Sequence, residues 1–104
     1  MAVCWAPTEA EARGTAREWW PLGLVPGSVI PELPLPEHYD ALTAGATDEA
    51  IGRAVVCGPD PEKHLEGIRR FAEAGFTHVY LHQVGPDQRG FFDFYRREIL
   101  PVVA

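Results

Sequence analysis

Short apolar runs separated by longer amphipathic stretches set the rhythm of the chain. "AVCWA" (residues 2–6) is apolar at every position and predicts a buried strand. In "PTEAEARGTAREWW", Thr8 is followed three residues later by Glu11, a capping-box spacing. It predicts a helix running to about Trp19 or Trp20, where Pro21 stops it. "AVVCG" is a second strand signal, ending at Gly58. "PDPEKHLEGIRRFAEAGF" is the clearest helix. Asp60 caps it, Pro61 fits the first turn, Leu65, Ile68 and Ala72 form one apolar face, and Gly75 ends it. "THVYLHQ" (residues 77–83) is rich in β-branched and aromatic residues and carries large groups on both faces. It predicts a parallel strand buried on both sides. "GPDQRGFFDFYRREILP" turns the chain and predicts a last helix, capped by Asp87 and ending near Pro101. That helix carries Phe91, Phe92, Phe94 and Tyr95.

Residues 21–53 break the rhythm. Their first half is Pro-rich yet holds Leu22, Leu24, Val25, Val29, Ile30 and Leu33, too apolar for a flexible linker. Two readings stand side by side: an ordered lid or binding loop, and a plain surface connection. Short helices are expected near Pro36 and near Thr47, where Thr47 and Asp48 can cap.

Strands alternating with helices mean βαβ units and a parallel sheet, so the fold class is α/β. The length of 104 residues allows one domain, residues 1–104, with 21–53 as an insertion inside it. Two or three parallel strands with open edges expose much surface. The inner face of the sheet and the aromatic helix both demand partners that so short a chain barely supplies.

Composition narrows the function classes. A net charge of −6 with a single lysine, Lys63, argues against nucleic-acid backbone as a partner. No apolar run approaches the length of a membrane span. No signal-peptide pattern opens the sequence, so a cytoplasmic location is expected. Cys4 and Cys57 make no disulfide framework and read as reduced core thiols; a catalytic thiol is the sharper alternative, without a motif to activate it. No metal site is expected. His78 and His82 stand four residues apart on one strand face, roughly 13 Å, too far to share an ion. His64 and Glu62 lack a third ligand.

"AVCWAPTEAEARGTAREWWP" and "VVCGPDPEKHLEGIRRFAEAGFTHVYLHQVGPDQRGFFDFYRREILP" together resemble the C-terminal third of luciferase-like (β/α)8-barrel oxidoreductases. The likeness is greatest to the branch that uses the deazaflavin coenzyme F420 and includes the F420-dependent glucose-6-phosphate dehydrogenases. The resemblance implies the C-terminal portion of a TIM barrel: the last two βα units plus the insertion, an incomplete barrel. It implies hydride transfer between the deazaflavin and an organic small-molecule substrate, with FMN as the alternative cofactor. The acid/base residues of the family sit on early strands that have no counterpart here, so no catalytic residue is expected and the isolated chain should be inactive. The alternative is a non-catalytic partial-barrel module that self-associates as a homo-oligomer or completes a separate N-terminal barrel segment.

The resemblance also suggests site residues. Arg53 falls where these dehydrogenases hold a substrate phosphate, a role suited to a guanidinium fork; the plainer reading is a solvated helix-end arginine. The lysine that accompanies it in the family falls, by gapless spacing, on Val29, which puts glucose 6-phosphate itself in doubt. Trp19, Trp20 and Leu22 are candidates for a substrate-pocket wall, against simple core packing. His82, at the carboxyl end of its expected strand, is the best single polar candidate for touching a ligand, against a hydrogen-bonded core histidine.

Overall fold

The structure, a computed structural model, describes residues 1–20 and 47–103. Its elements are β1 (Ala2–Cys4), α1 (Glu9–Trp19), α2 (Asp48–Ala54), β2 (Val56–Cys57), α3 (Pro61–Glu73), β3 (His82–Gln83), α4 (Gln88–Phe94) and α5 (Leu100–Val103). A π-helical turn, Tyr95–Ile99, joins α4 to α5. The expected short helix near Pro36, and Leu22 with the first half of the insertion, lie outside the described residues.

Polar side chains start every long helix as the sequence predicts. Thr8 Oγ1 accepts from Glu11 N, Thr47 Oγ1 from Ala50 N, Asp60 Oδ1 from Glu62 N and Asp87 Oδ1 from Gly90 N. Each satisfies an amide that the first turn leaves without a helical partner. Gly75 follows the C-cap of α3 at φ +96°, a conformation glycine adopts without a Cβ penalty.

The three strands form one parallel sheet in the order β2–β1–β3. Val3 and Cys4 register with Val56 and Cys57 on one side; Ala2 and Val3 register with His82 and Gln83 on the other. Alternation along β1 then sorts the core into two layers. Cys4 packs with Ala12 and Ala16 of α1 and with Ile51 and Val55 at α2. Val3 packs with Leu65 of α3, with Phe91 and Phe94 of α4, and with Tyr95 and Ile99. The fold is thus mixed α/β, with helices on both faces of a small parallel sheet.

That layering corrects the expectation of an uncovered inner sheet face. The chain supplies helices for both faces, and the aromatic helix finds its partners within it. Phe91, Phe94 and Tyr95 are buried against β1 and α3, while Phe92 is 64% exposed. Glycine lets this helix in: a Cβ on Gly90 would collide with Cζ3 of Trp5.

Four further expectations change. The first strand stops at Cys4, where Trp5 turns its backbone to a side chain: Trp5 N donates to Gln83 Oε1 at 2.9 Å. The 77–83 strand shrinks to His82–Gln83, and Tyr80 is 86% exposed. Among the described residues its one neighbour is a three-residue strand, so β-propensity earlier in the stretch has no ladder there to join. The apolar face of α3 is only partly covered: Leu65 is buried, Ile68 half-buried and Ala72 exposed. Lastly, the helix does not end near Pro101 but runs on to Val103. Pro101 has no N–H and would crowd a carbonyl in a regular α-turn. The wider turn just before it, in which Leu100 N donates to Tyr95 O, accommodates the ring.

Among the described residues, no helix is long and apolar enough to cross a membrane.

Candidate functional site

Charged side chains gather along the outer edge of β2. α2 delivers Arg53 in its last turn, where a cation meets the negative end of the helix dipole. α3 runs beside β2 and adds Lys63 and Arg70. Between them lies a groove of about 200 Å³ lined by Glu9, Arg53, Cys57, Lys63, Glu66 and Arg70. It continues into a second groove of about 430 Å³, which shares Arg53 and Arg70 and is floored by Val56, Phe71 and Phe76.

Most charges there are paired. Lys63 Nζ stands 2.5 Å from Glu9 Oε1, and Arg13 Nη2 2.7 Å from the same oxygen. The hydrogen bond from Lys63 leads the effects that hold the Glu9 carboxyl below its usual range. Arg70 pairs with Glu66 at 2.8 Å across an exposed helical turn, a contact of small energetic worth. Arg53 is exposed and, among the described residues, joins no ion pair. An anion entering the groove would therefore meet the Arg53 guanidinium first, with the paired Lys63 and Arg70 beside it.

Trp20 and His82 meet on the other side of β1. Their rings contact edge to face, with centroids 4.9 Å apart and planes at 88°. Trp20 caps α1 and packs on the cluster that includes Cys4 and Ala16. His82 is exposed and level with Ala2, at the amino end of β1. Trp19 points outward, 56% exposed. The structure thus brings Trp20 and His82 together and holds Arg53 at the opposite edge of the sheet. The described residues do not combine all three in one pocket.

Sequence reasoning missed the most constrained polar group. His64 is fully buried. Its Nε2 lies 2.9 Å from Gly58 O and its Nδ1 2.8 Å from Tyr95 Oη. A carbonyl only accepts, so Nε2 carries the proton and Nδ1 accepts from the tyrosine hydroxyl. Burial pushes the imidazole below its ordinary range, ahead of the opposing effects of the Gly58 carbonyl and Asp60; Lys63 adds to the depression. Tyr95 is pushed well up by its own burial. Phe94 closes the site, its ring centroid 5.0 Å from that of His64. The available signal was spacing: His64 stands four residues before Ile68, on the inward side of α3.

The described residues do not by themselves build a deazaflavin site. The charged grooves run along the β2 edge of the sheet, from Cys57 and Lys63 at the carboxyl end of β2 to Met1 and Ala2 at the amino end of β1. The backbone at the carboxyl ends of β1 and β3 is closed by glutamine: Gln83 bridges both backbone groups of Trp5, and Gln88 Nε2 donates to Gly85 O at 2.9 Å.

In architecture, the chain is a mixed α/β protein built on a small parallel sheet. No protein-family profile matches it. Its relatives speak more directly. It is 31% identical over 101 residues to an F420-dependent glucose-6-phosphate dehydrogenase of Beutenbergia cavernae, a match covering 97% of this chain and 30% of the relative. It is 32% identical over 104 residues to an F420-dependent glucose-6-phosphate dehydrogenase of Nakamurella multipartita, again 97% of this chain and 30% of that protein. A third relative of that name, from Nocardia farcinica, is 31% identical over 88 residues, covering 82% of this chain and 25% of the relative. The chain spans about 30% of the length of the curated relatives it matches.

Proposed function

We propose that this chain is the C-terminal part of an F420-dependent, luciferase-like oxidoreductase. In the complete enzyme it forms one flank of a barrel in which hydride passes between the deazaflavin and a small organic substrate. The carrying observation is that three relatives named for F420-dependent dehydrogenase activity match over most of this chain and only a quarter to a third of themselves. β1 and β3 pair directly and in parallel, as the strands of two neighbouring barrel units would, and β2, on the other side of β1, then counts as part of the connection between them rather than as a barrel strand. In this reading residues 21–53 are an insertion between those units. Trp19, Trp20, Leu22 and His82 belong to a pocket wall, and Arg53 to an anion contact. No catalytic group is assigned among the described residues, and the chain alone turns nothing over. Its setting is the cytoplasm, in keeping with two free thiols.

The test is a chimera. The matching C-terminal segment of the Beutenbergia cavernae relative is replaced by this chain, and F420 binding is read by fluorescence. A folded chimera that binds F420, with the free chain showing no turnover at the F420 absorbance band, is the expected result. A chimera that folds by circular dichroism and does not bind F420 overturns the reading, as does turnover by the chain alone.

A further inference from the structure

Cys4 and Cys57 are register partners across the parallel pair β1–β2. Both side chains fall in the same core cluster, on the face covered by α1. Both thiols are free and buried. Neighbouring strands run about 4.7–4.9 Å apart, and the Cα atoms of a disulfide usually stand about 4.4–6.8 Å apart. Two registered cysteines on one face therefore meet the backbone requirement without a change of register. The Cβ atoms of a disulfide sit closer than the strand spacing, at about 3.5–4.5 Å, so closure draws the strands together slightly and leaves the bond under tension. The Cys57 thiol is pushed up to about 12, chiefly by burial and next by the nearness of Cys4.

From this geometry we propose that Cys4 and Cys57 are a redox-responsive pair that closes a strand-to-strand disulfide under a small-molecule disulfide oxidant. One thiolate attacks a sulfur of the oxidant and expels its first thiol, giving a mixed disulfide. The second cysteine thiolate then attacks the protein-bound sulfur and expels the second thiol. Two protein thiols lose two electrons and two protons, and the oxidant becomes two thiols. The bond ties β1 to β2 and closes the loop that carries α1, the insertion and α2. Burial keeps the thiolate fraction low, so the reaction in the folded chain is slow and quickens with pH. Tension in the bond places it among the labile, easily reduced disulfides. Structural disulfides, by contrast, resist thiol buffers.

The test compares the folded chain with the urea-unfolded chain in buffers of set glutathione to glutathione-disulfide ratio at about pH 8. After acid quench and alkylation, intact mass reads the closed form, about 2 Da lighter and free of alkylation. The ratio at which half the chain closes gives an effective thiol concentration for each state. The expected value is about tenfold higher when folded than when unfolded, and the closed chain melts at least ~5 °C higher. Cys4→Ser and Cys57→Ser, each alone, abolish the light form. An effective concentration in the folded chain equal to or below that in urea overturns the proposal. So does accumulation of stable mixed disulfides in place of closure.

Discussion

Acidifying the solution tests the buried His64 directly. In the fold the ring is neutral: Nε2–H donates to Gly58 O, and Nδ1 accepts from Tyr95. The charged and titratable groups near it are Asp60, Lys63 and Tyr95, and none is a carboxylate in contact with the ring. Unfolding releases a histidine that titrates near 6.5, while the folded ring titrates lower. The unfolded chain therefore binds the extra proton as pH falls. The stability contributed by neutral burial is fully present above 6.5 and is lost as pH drops from there toward the folded value. The slope reaches about 1.4 kcal/mol per pH unit, so the loss by pH 5 is at most ~2 kcal/mol. That is a large share of what so short a domain has to spare. The assay is urea denaturation by near-UV circular dichroism at pH 8, 7, 6 and 5, on the native chain and on His64→Phe. The native chain should lose stability below pH 6.5 with the steeper slope. The variant, weaker at pH 8 for want of its two hydrogen bonds, should have a flatter profile through the same range. Identical pH slopes would refute the argument, as would a ring resonance that titrates at or above 6.5 in the folded chain.

Tyr95→Phe leaves Nδ1 of the buried ring without a donor and should cost about 1–3 kcal/mol in the same denaturation assay at pH 8. Gly90→Ala drives a methyl into the Trp5 ring and should cost at least ~1–3 kcal/mol or block folding, read from the tryptophan melting signal. Thr8→Ala removes the cap of α1 and should cost about 1 kcal/mol, with the slope of the urea transition unchanged. Arg53→Gln should weaken the binding of inorganic phosphate, followed by calorimetry, while leaving the melting temperature within about 2 °C, since the side chain is exposed.

Local chemistry was legible in the sequence where one residue decides the outcome. Thr8, Thr47, Asp60 and Asp87 cap the helices they were expected to cap, because a short polar side chain before an apolar-periodic run has few other uses. Gly75 likewise takes the left-handed turn. What long-range pairing decides was not legible. "THVYLHQ" has strong strand propensity but only two residues of it find a ladder, since the strand it meets is three residues long. The coverage of both sheet faces was hidden for the same reason: which side a helix takes depends on the crossover, and apolar spacing alone does not say. His64 sat in a charged run, between Lys63 and Leu65, and was weighed only as a metal ligand. Its partners, Gly58 and Tyr95, come from separate elements. Of the candidate site residues, Trp20 and His82 touch, but Arg53 stands across the sheet, a separation that linear spacing never encodes.

The strand that holds the sheet together precedes both of its partners in the chain. Ala2 and Val3 pair with His82 and Gln83, 80 residues later in the chain. At about 5–20 residues per second, a ribosome emits β1 roughly 4–16 s before its second partner. During that interval β1 lacks the second of its described partners, and Trp5 has no Gln83 to hold its backbone. Nascent chains of this protein therefore pass through a half-zipped stage with one sheet edge bare. Contacts so distant in sequence slow the final closure. Chaperone demand should peak there and fall once residues 82–84 are free to dock.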